Sequence, residues 1–221
     1  QSSITTGAAK STIITISGVA NDGTSMNDGI YMSQSAVVGG LGAVTLSGVA
    51  PSTSSADNND GVQIQTSSSV TSTGGAILVK GTGGTGTFDN RGVALLDSSD
   101  ITVSAGAGTI QITGTGVGST SGNMGVTVQN NATVGSAAGN ITVRGESLGA
   151  AGTSNNIGVN VTSGAVAGND AAIVLEDVDI AKTASDIFWA AFANCGQICL
   201  AIKRLYVHDK IYEPFCDALA N

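Results

Sequence analysis

The 221-residue sequence contains little charge and few aromatic residues, which make up 11% and 4% of it, and it has only two prolines. These low values, with 32 glycines and many small or β-branched residues, are typical of a mainly β protein with short turns. The formal net charge of −8 argues against nucleic acid or an anionic membrane as a partner. No run approaches the ~18 apolar residues of a membrane span. There is neither an initiating Met nor a signal-peptide pattern, so we expect a fragment or a processed product.

The rarer residue types are confined to one end of the chain. All three cysteines, the single Trp and the single His follow residue 180: Trp189, Cys195, Cys199, His208 and Cys216. We therefore predict two domains, residues 1–166 and residues 167–221.

Residues 1–166 contain five copies of a repeat. An Asn-x-Gly motif recurs with its Asn spaced by 32, 31, 33 and 33 residues: Asn27, Asn59, Asn90, Asn123 and Asn156. Each motif follows an alternating apolar segment that ends in Gly, the first being Ile14-x-Ile16-x-Gly18. Two further apolar points follow each motif.

Each repeat therefore supplies three short strands separated by polar turns. Alternation places Ile and Val on one face, and stacking of successive repeats buries that face in a continuous interior. Asn and Gly tolerate left-handed backbone angles, so Asn-x-Gly suits a corner, where the Asn side chains could stack into a ladder. We predict a right-handed parallel β-helix of about five repeats.

Acidic residues occur throughout the repeats without a fixed position, which is unlike a calcium-binding solenoid. We interpret them as solvated turn residues: Asp22, Asp28, Asp57, Asp60, Asp89, Asp97 and Asp100.

The Gly/Thr/Asn-rich repeats resemble those of large bacterial surface proteins of the filamentous-haemagglutinin or autotransporter-passenger type. The resemblance implies a secreted scaffold or adhesin that interacts with a cell surface or self-associates.

Residues 167–221 have a different pattern. An apolar run around Ile173 predicts a strand, and Asp179 is placed to cap a helix from Ile180 to about Ala193. A second strand is expected at residues 204–208 and a second helix opens at about Ile211, which together make a βαβ unit.

The helix leads into the motif Phe192-x-Asn194-x-Gly196-Gln197-x-Cys199. This motif resembles the active-site segment of the NAD(P)-dependent aldehyde dehydrogenase superfamily. The resemblance implies that Cys199 is the catalytic nucleophile, which attacks an aldehyde to give a thioester. NAD or NADP is the implied cofactor, an aldehyde the implied substrate, and no metal is implied.

The sequence also departs from that family. Ala165 stands where the resemblance places the general base, and the segments that supply the oxyanion Asn and hold the cofactor are missing. We expect a fragmentary, inactive enzyme segment whose Phe188, Trp189, Phe192 and Leu200 form an exposed apolar patch. We interpret Cys195, Cys216 and His208 as core or surface residues, because their spacing suits a metal site poorly.

Three interpretations stay open: an aldehyde dehydrogenase fragment, an extracellular solenoid that carries an incidental tail, and an artificial join of two sequences. The localisation signals conflict, since the repeats suggest the cell exterior and the tail a reducing cytoplasm. The sequence does not define the aldehyde, the choice of NAD or NADP, or a ligand of the repeats.

Overall fold

The computed structural model describes residues 2–7, 11–24, 26–52, 57–149, 154–163, 165–167, 170–174, 178–192 and 202–220. The chain divides into two compact units, Gln1–Val166 and Ala167–Asn221. None of the described helices is long and apolar enough to cross a membrane.

The first unit is built of short strands. In chain order they are β1 Ser2–Thr5, β2 Ile14–Val19, β3 Ile30–Ser33, β4 Ser35–Gly39, β5 Val44–Val49, β6 Val62–Gln65, β7 Ser69–Ser72, β8 Ile77–Thr82, β9 Val93–Leu95, β10 Asp100–Val103, β11 Ile110–Gly118, β12 Val126–Gln129, β13 Thr133–Ser136, β14 Ile141–Gly149, β15 Val159–Thr162 and β16 Ala165–Ala167.

These strands form three parallel sheets; each of five coils contributes one strand to each sheet, and β1 adds a sixth strand to one of them. The sheet orders are β14-β11-β8-β5-β2, β15-β12-β9-β6-β3 and β1-β4-β7-β10-β13-β16. The repeat sets the register, because equivalent positions such as Val44, Ile77 and Ile110 pair directly. The predicted parallel β-solenoid of about five turns is confirmed, and its handedness stays a prediction.

The interior of the solenoid is a stack of Ile, Val and Leu side chains. In β8, Ile77 and Val79 are buried while Leu78 and Lys80 face outward, as period-two alternation requires. One hydrophobic cluster runs through the coils, from Ile14 to Val134. Full burial of each such side chain contributes about 1.5–3 kcal/mol relative to exposure, so successive coils stabilise one another.

The predicted asparagine ladder is present. The Nδ2 amides of Asn27, Asn59 and Asn90 each donate to the Oδ1 atom of the next Asn, at 2.9, 3.1 and 3.0 Å. The backbone N–H of the same three residues donates to the same oxygen, at 3.1–3.2 Å. Asn123 extends the pattern to Asn156 with bonds of 3.1 and 3.3 Å. At each corner the ladder thus supplies hydrogen bonds to buried polar groups that the sheets do not pair.

The prediction that the Asn-x-Gly motif adopts left-handed backbone angles was wrong. The left-handed residue is the one immediately before each ladder Asn: Met26, Asn58, Asp89, Gly122 and Asn155, with φ between 51° and 75°. The motif Gly is required by close approach instead. A Cβ atom on Gly48 would overlap the carbonyl oxygen of Gly61, and one on Gly61 would overlap the backbone nitrogen of Thr82. Two backbone segments therefore touch where both carry Gly.

The second unit contains β17 Asp170–Val174, α1 Ile180–Phe192, β18 Ile202–Val207, a 3-10 turn Asp209–Ile211 and α2 Tyr212–Ala220. β17 and β18 pair in parallel, with an irregularity between Asp170 and Ala171. The predicted βαβ unit is therefore confirmed. Its core contains Val174, Ala184, Ile187 and the fully buried Phe215.

Candidate functional site

Most of the predicted catalytic motif lies outside the described residues. This holds for Asn194, Gly196, Gln197 and the predicted nucleophile Cys199. Phe192, the first residue of the motif, is the last residue of α1. The structure therefore defines the elements before and after the motif, α1 and β18.

The start of α1 is fixed by the predicted cap. The Asp179 carboxylate accepts the Lys182 backbone N–H at 3.1 Å, and the Asp179 carbonyl accepts that of Thr183 at 2.9 Å. The first bond supplies an acceptor for an N–H group that the helix itself leaves open, and the second is the first backbone bond of the helix; the negative charge also interacts favourably with the helix dipole. The cap therefore fixes where α1 begins, and α1 continues for thirteen residues to Phe192, where the motif begins.

Ala165, which the resemblance aligns with the general base, belongs to β16, and β16 is the last strand of the six-stranded solenoid sheet. An alanine has no ionisable group and cannot accept a proton from water. The position is thus occupied by a residue of the solenoid repeat.

Neither Cys216 nor His208 belongs to a metal site in the part of the chain that the structure describes. Cys216 is a half-buried free thiol on α2. His208 is exposed, and its Nδ1 atom accepts the Lys210 backbone N–H at 3.3 Å. No group of three or more His, Cys, Asp or Glu side chains among the described residues could hold a metal. Cys195 lies outside the described residues.

The expected apolar surface is present on α1. Phe188 is 43% and Trp189 67% exposed, and their rings pack edge to face with centroids 5.6 Å apart. Leu200 lies outside the described residues, and the side chain of Phe192 does too.

The C-terminal part of the chain is similar to known enzymes. Residues 117–221 match the aldehyde dehydrogenase family. The match begins inside β11 and so includes the last coils of the solenoid as well as the second unit.

Curated relatives match a shorter stretch. A probable aldehyde dehydrogenase of Pseudomonas sp is 53% identical over 51 residues, which are 23% of this chain and 10% of the relative. The 3-sulfolactaldehyde dehydrogenase of Priestia aryabhattai is 45% identical over 51 residues, 23% of this chain and 11% of the relative. The vanillin dehydrogenase of Amycolatopsis sp. is 40% identical over 53 residues, 24% and 11%. The chain thus spans about a tenth of the length of these relatives, and no solved structure matches it.

The family suggests NAD(P) dependence, but the described βαβ unit does not fit a dinucleotide. Such a unit binds a pyrophosphate through free N–H groups at the helix N-terminus, after a glycine-rich turn. Here the Asp179 carboxylate occupies the N-terminus of α1.

One charged cluster, which consists of Asp28, Asp60 and Arg91, was not identified from the sequence. Asp60 is completely buried, and Asp28 is half-buried with its Oδ2 atom inaccessible to solvent, so the interpretation of the repeat aspartates as solvated is wrong for these two. Arg91 forms an ion pair with Asp60. Their position in the sequence could have indicated the cluster, because each of the three is the middle residue of an Asn-x-Gly motif, beside the ladder.

Proposed function

We propose that residues 167–221 are the nucleophile-bearing piece of an aldehyde dehydrogenase domain, and that the 221-residue chain by itself is inactive. The family match over residues 117–221 carries the first part of the proposal. The second part rests on the alanine at position 165 and on the capped start of α1.

Cys199 would act through its thiolate, which adds to the carbonyl carbon of an aldehyde and leaves the oxygen negatively charged. Without a hydride acceptor this adduct reverts to aldehyde and thiolate. Hydrolysis of a thioester would also need a base to activate water, and the aligned residue is Ala165. Chemistry in this chain therefore stops at reversible addition.

A turnover assay tests the proposal. The purified chain is mixed with aliphatic and aromatic aldehydes and with NAD or NADP, and formation of the reduced nucleotide is followed by absorbance. We expect the same rate from the chain and from a Cys199→Ser variant.

A rate that is higher for the chain than for Cys199→Ser would disprove inactivity and establish the nucleophile. Tight binding of NAD by calorimetry would contradict the argument from the capped helix.

The solenoid supports a second function, that of a secreted or cell-surface structural protein or adhesin. The supporting observation is an architecture of stacked coils with a buried ladder, independent of any catalytic residue. Among the described strands, β2 and β3 lie at the ends of their sheets, and edge strands are a usual basis of self-association. Sedimentation of the purified chain over a range of concentrations tests this function, and a monomer throughout would contradict self-association. Labelling of intact producing cells with an impermeant amine reagent would decide the compartment.

A further inference from the structure

Three residues of successive coils stack at the Asn-x-Gly corner: Asp28, Asp60 and Arg91. The Asp60 backbone N–H donates to Asp28 Oδ1 at 2.8 Å, and the Arg91 N–H donates to Asp60 Oδ1 at 2.8 Å. Each carboxyl thus accepts from the following coil. The asparagine ladder beside it runs in the opposite sense, because there each N–H donates to the side chain of the following coil. The carboxyl groups are therefore held one coil apart by the backbone itself.

One cation, the Arg91 guanidinium, pairs with Asp60. The Arg91 guanidinium lies 2.9 Å from Asp60 Oδ2 through Nη2 and donates to Asp60 Oδ1 through Nε at 3.1 Å. Asp60 has no exposed side-chain surface and Arg91 only 12%. A buried pair of this geometry neutralises one carboxylate. Asp28 forms no ion pair of its own with any described residue.

The second oxygen of Asp28 is an unsatisfied buried atom. Asp28 Oδ2 is inaccessible to solvent and receives no hydrogen bond from the described residues. Asp60 Oδ2 is also buried and, although Arg91 is near, receives no well-directed hydrogen bond. An ionised carboxylate in such a place lacks the donors that would offset its desolvation. A protonated carboxyl group is neutral and itself supplies a donor.

We propose that Asp28 and Asp60 hold one proton between them and that its loss loosens the corner joining the first two complete coils. The solenoid thereby contains a pH-responsive element. At low pH the corner holds two carboxyl groups, one guanidinium and one proton, with no net charge. At high pH it holds an uncompensated negative charge beside Asn27, the first residue of the ladder.

The electrostatics agree with this geometry. The pKa of Asp28 is raised to about 7, because burial and the charge of Asp60 raise it by more than the Asp60 N–H and Arg91 lower it. Burial also raises the pKa of Asp60, against the effect of Arg91, and Asp89 adds a second negative charge. The pair titrates as a unit, with Asp60 held by the guanidinium and the exchangeable proton nearer Asp28.

Carboxyl-carbon NMR of the full chain, labelled at Asp, tests the proton directly. One resonance, assigned by its loss in Asp28→Asn, should titrate with a midpoint close to 7. A midpoint for Asp28 near 4, the ordinary value for Asp, would overturn the proposal.

Hydrogen exchange tests the loosening. Opening constants of the amides of Gly29 to Ser33, corrected for intrinsic exchange, should rise about ten- to a hundredfold from about pH 5 to about pH 8. Asp28→Asn, which mimics the neutral acid, should abolish this rise, whereas Asp22→Asn, an exposed residue of the same coil, should retain it. A rise that persists in Asp28→Asn, or its absence in the native chain, would overturn the proposal.

Discussion

Asn90 is the central residue of the asparagine ladder, and replacing it with Ala tests whether the ladder stabilises the solenoid. Its side chain is completely buried. Its Oδ1 accepts the backbone N–H and the Nδ2 amide of Asn59 at 3.2 and 3.1 Å, and its Nδ2 donates to Asn123 Oδ1 at 3.0 Å. The substitution removes these three bonds and retains the one that the Asn90 backbone N–H donates to Asn123 Oδ1.

The expected loss follows from the number and burial of these bonds. The bond to Asn123 contributes about 1 kcal/mol net, and each of the two buried Asn59 donors that loses its acceptor costs about 1–2 kcal/mol. The free energy of unfolding should therefore fall by about 3–5 kcal/mol. This is a large part of the roughly 5–15 kcal/mol that a domain possesses.

Urea denaturation followed by far-ultraviolet circular dichroism measures the change. Asn160→Ala is the matched control: this strand residue is only partly buried, donates to Thr127 at 3.3 Å and accepts from Thr162 at 3.0 Å. We expect the control to lose less than about 1 kcal/mol. If Asn90→Ala were equally mild, the ladder would be a consequence of coil stacking and not one of its causes.

Three further predictions concern the corner, the cap and pH. Gly92→Ala places a Cβ atom against the backbone of Thr115 and should lower the free energy of unfolding, measured with urea, by at least about 2 kcal/mol. Gly74→Ala is the control and should not lower it, because the nearest contacts of its Cβ atom lie at 3.5 and 3.6 Å. Asp179→Ala should reduce the protection of α1 amides by about 1 kcal/mol, more than Asp186→Ala, whose carboxylate is 63% exposed. Because the pKa of Asp28 is raised from 3.8 to about 7, its contribution is fully present below about pH 4 and lost as pH rises through about 7. Discounted for partial exposure, this loss is about 2 kcal/mol in a pH series of unfolding curves, and Asp28→Asn should flatten the series. Equal midpoints for the two Gly variants, equal protection for the two Asp variants, or a flat native pH series would each contradict the corresponding argument.

Much of the fold followed from the sequence because it repeats. The Ile-x-Ile-x-Gly segments appear as β2 and its equivalents, and the asparagines stack as expected. In the second unit the cap at Asp179 and the extent of α1 were predictable, since a local hydrogen bond and helical periodicity decide both. The pairing of β17 with β18 also agrees with the prediction.

The functional segment was predictable to a smaller degree. The similarity of residues 117–221 to aldehyde dehydrogenases agrees with the motif around Cys199, because a motif is a property of sequence. The assigned roles of Asn194, Gly196, Gln197 and Cys199 stay predictions. They require a spatial arrangement of base, cofactor and nucleophile, which no spacing along a chain defines.

The sequence by itself determined the coil period, the inward Ile and Val positions, the ladder and the helix cap, because neighbouring residues and a regular repeat specify each of them. Tertiary structure alone decided the reason for Gly61, which is contact between backbones and not a left-handed angle. It also decided that Asp28 and Asp60 are buried beside Arg91. Residues from three different coils create that environment, and burial of a carboxyl group depends on all of them at once.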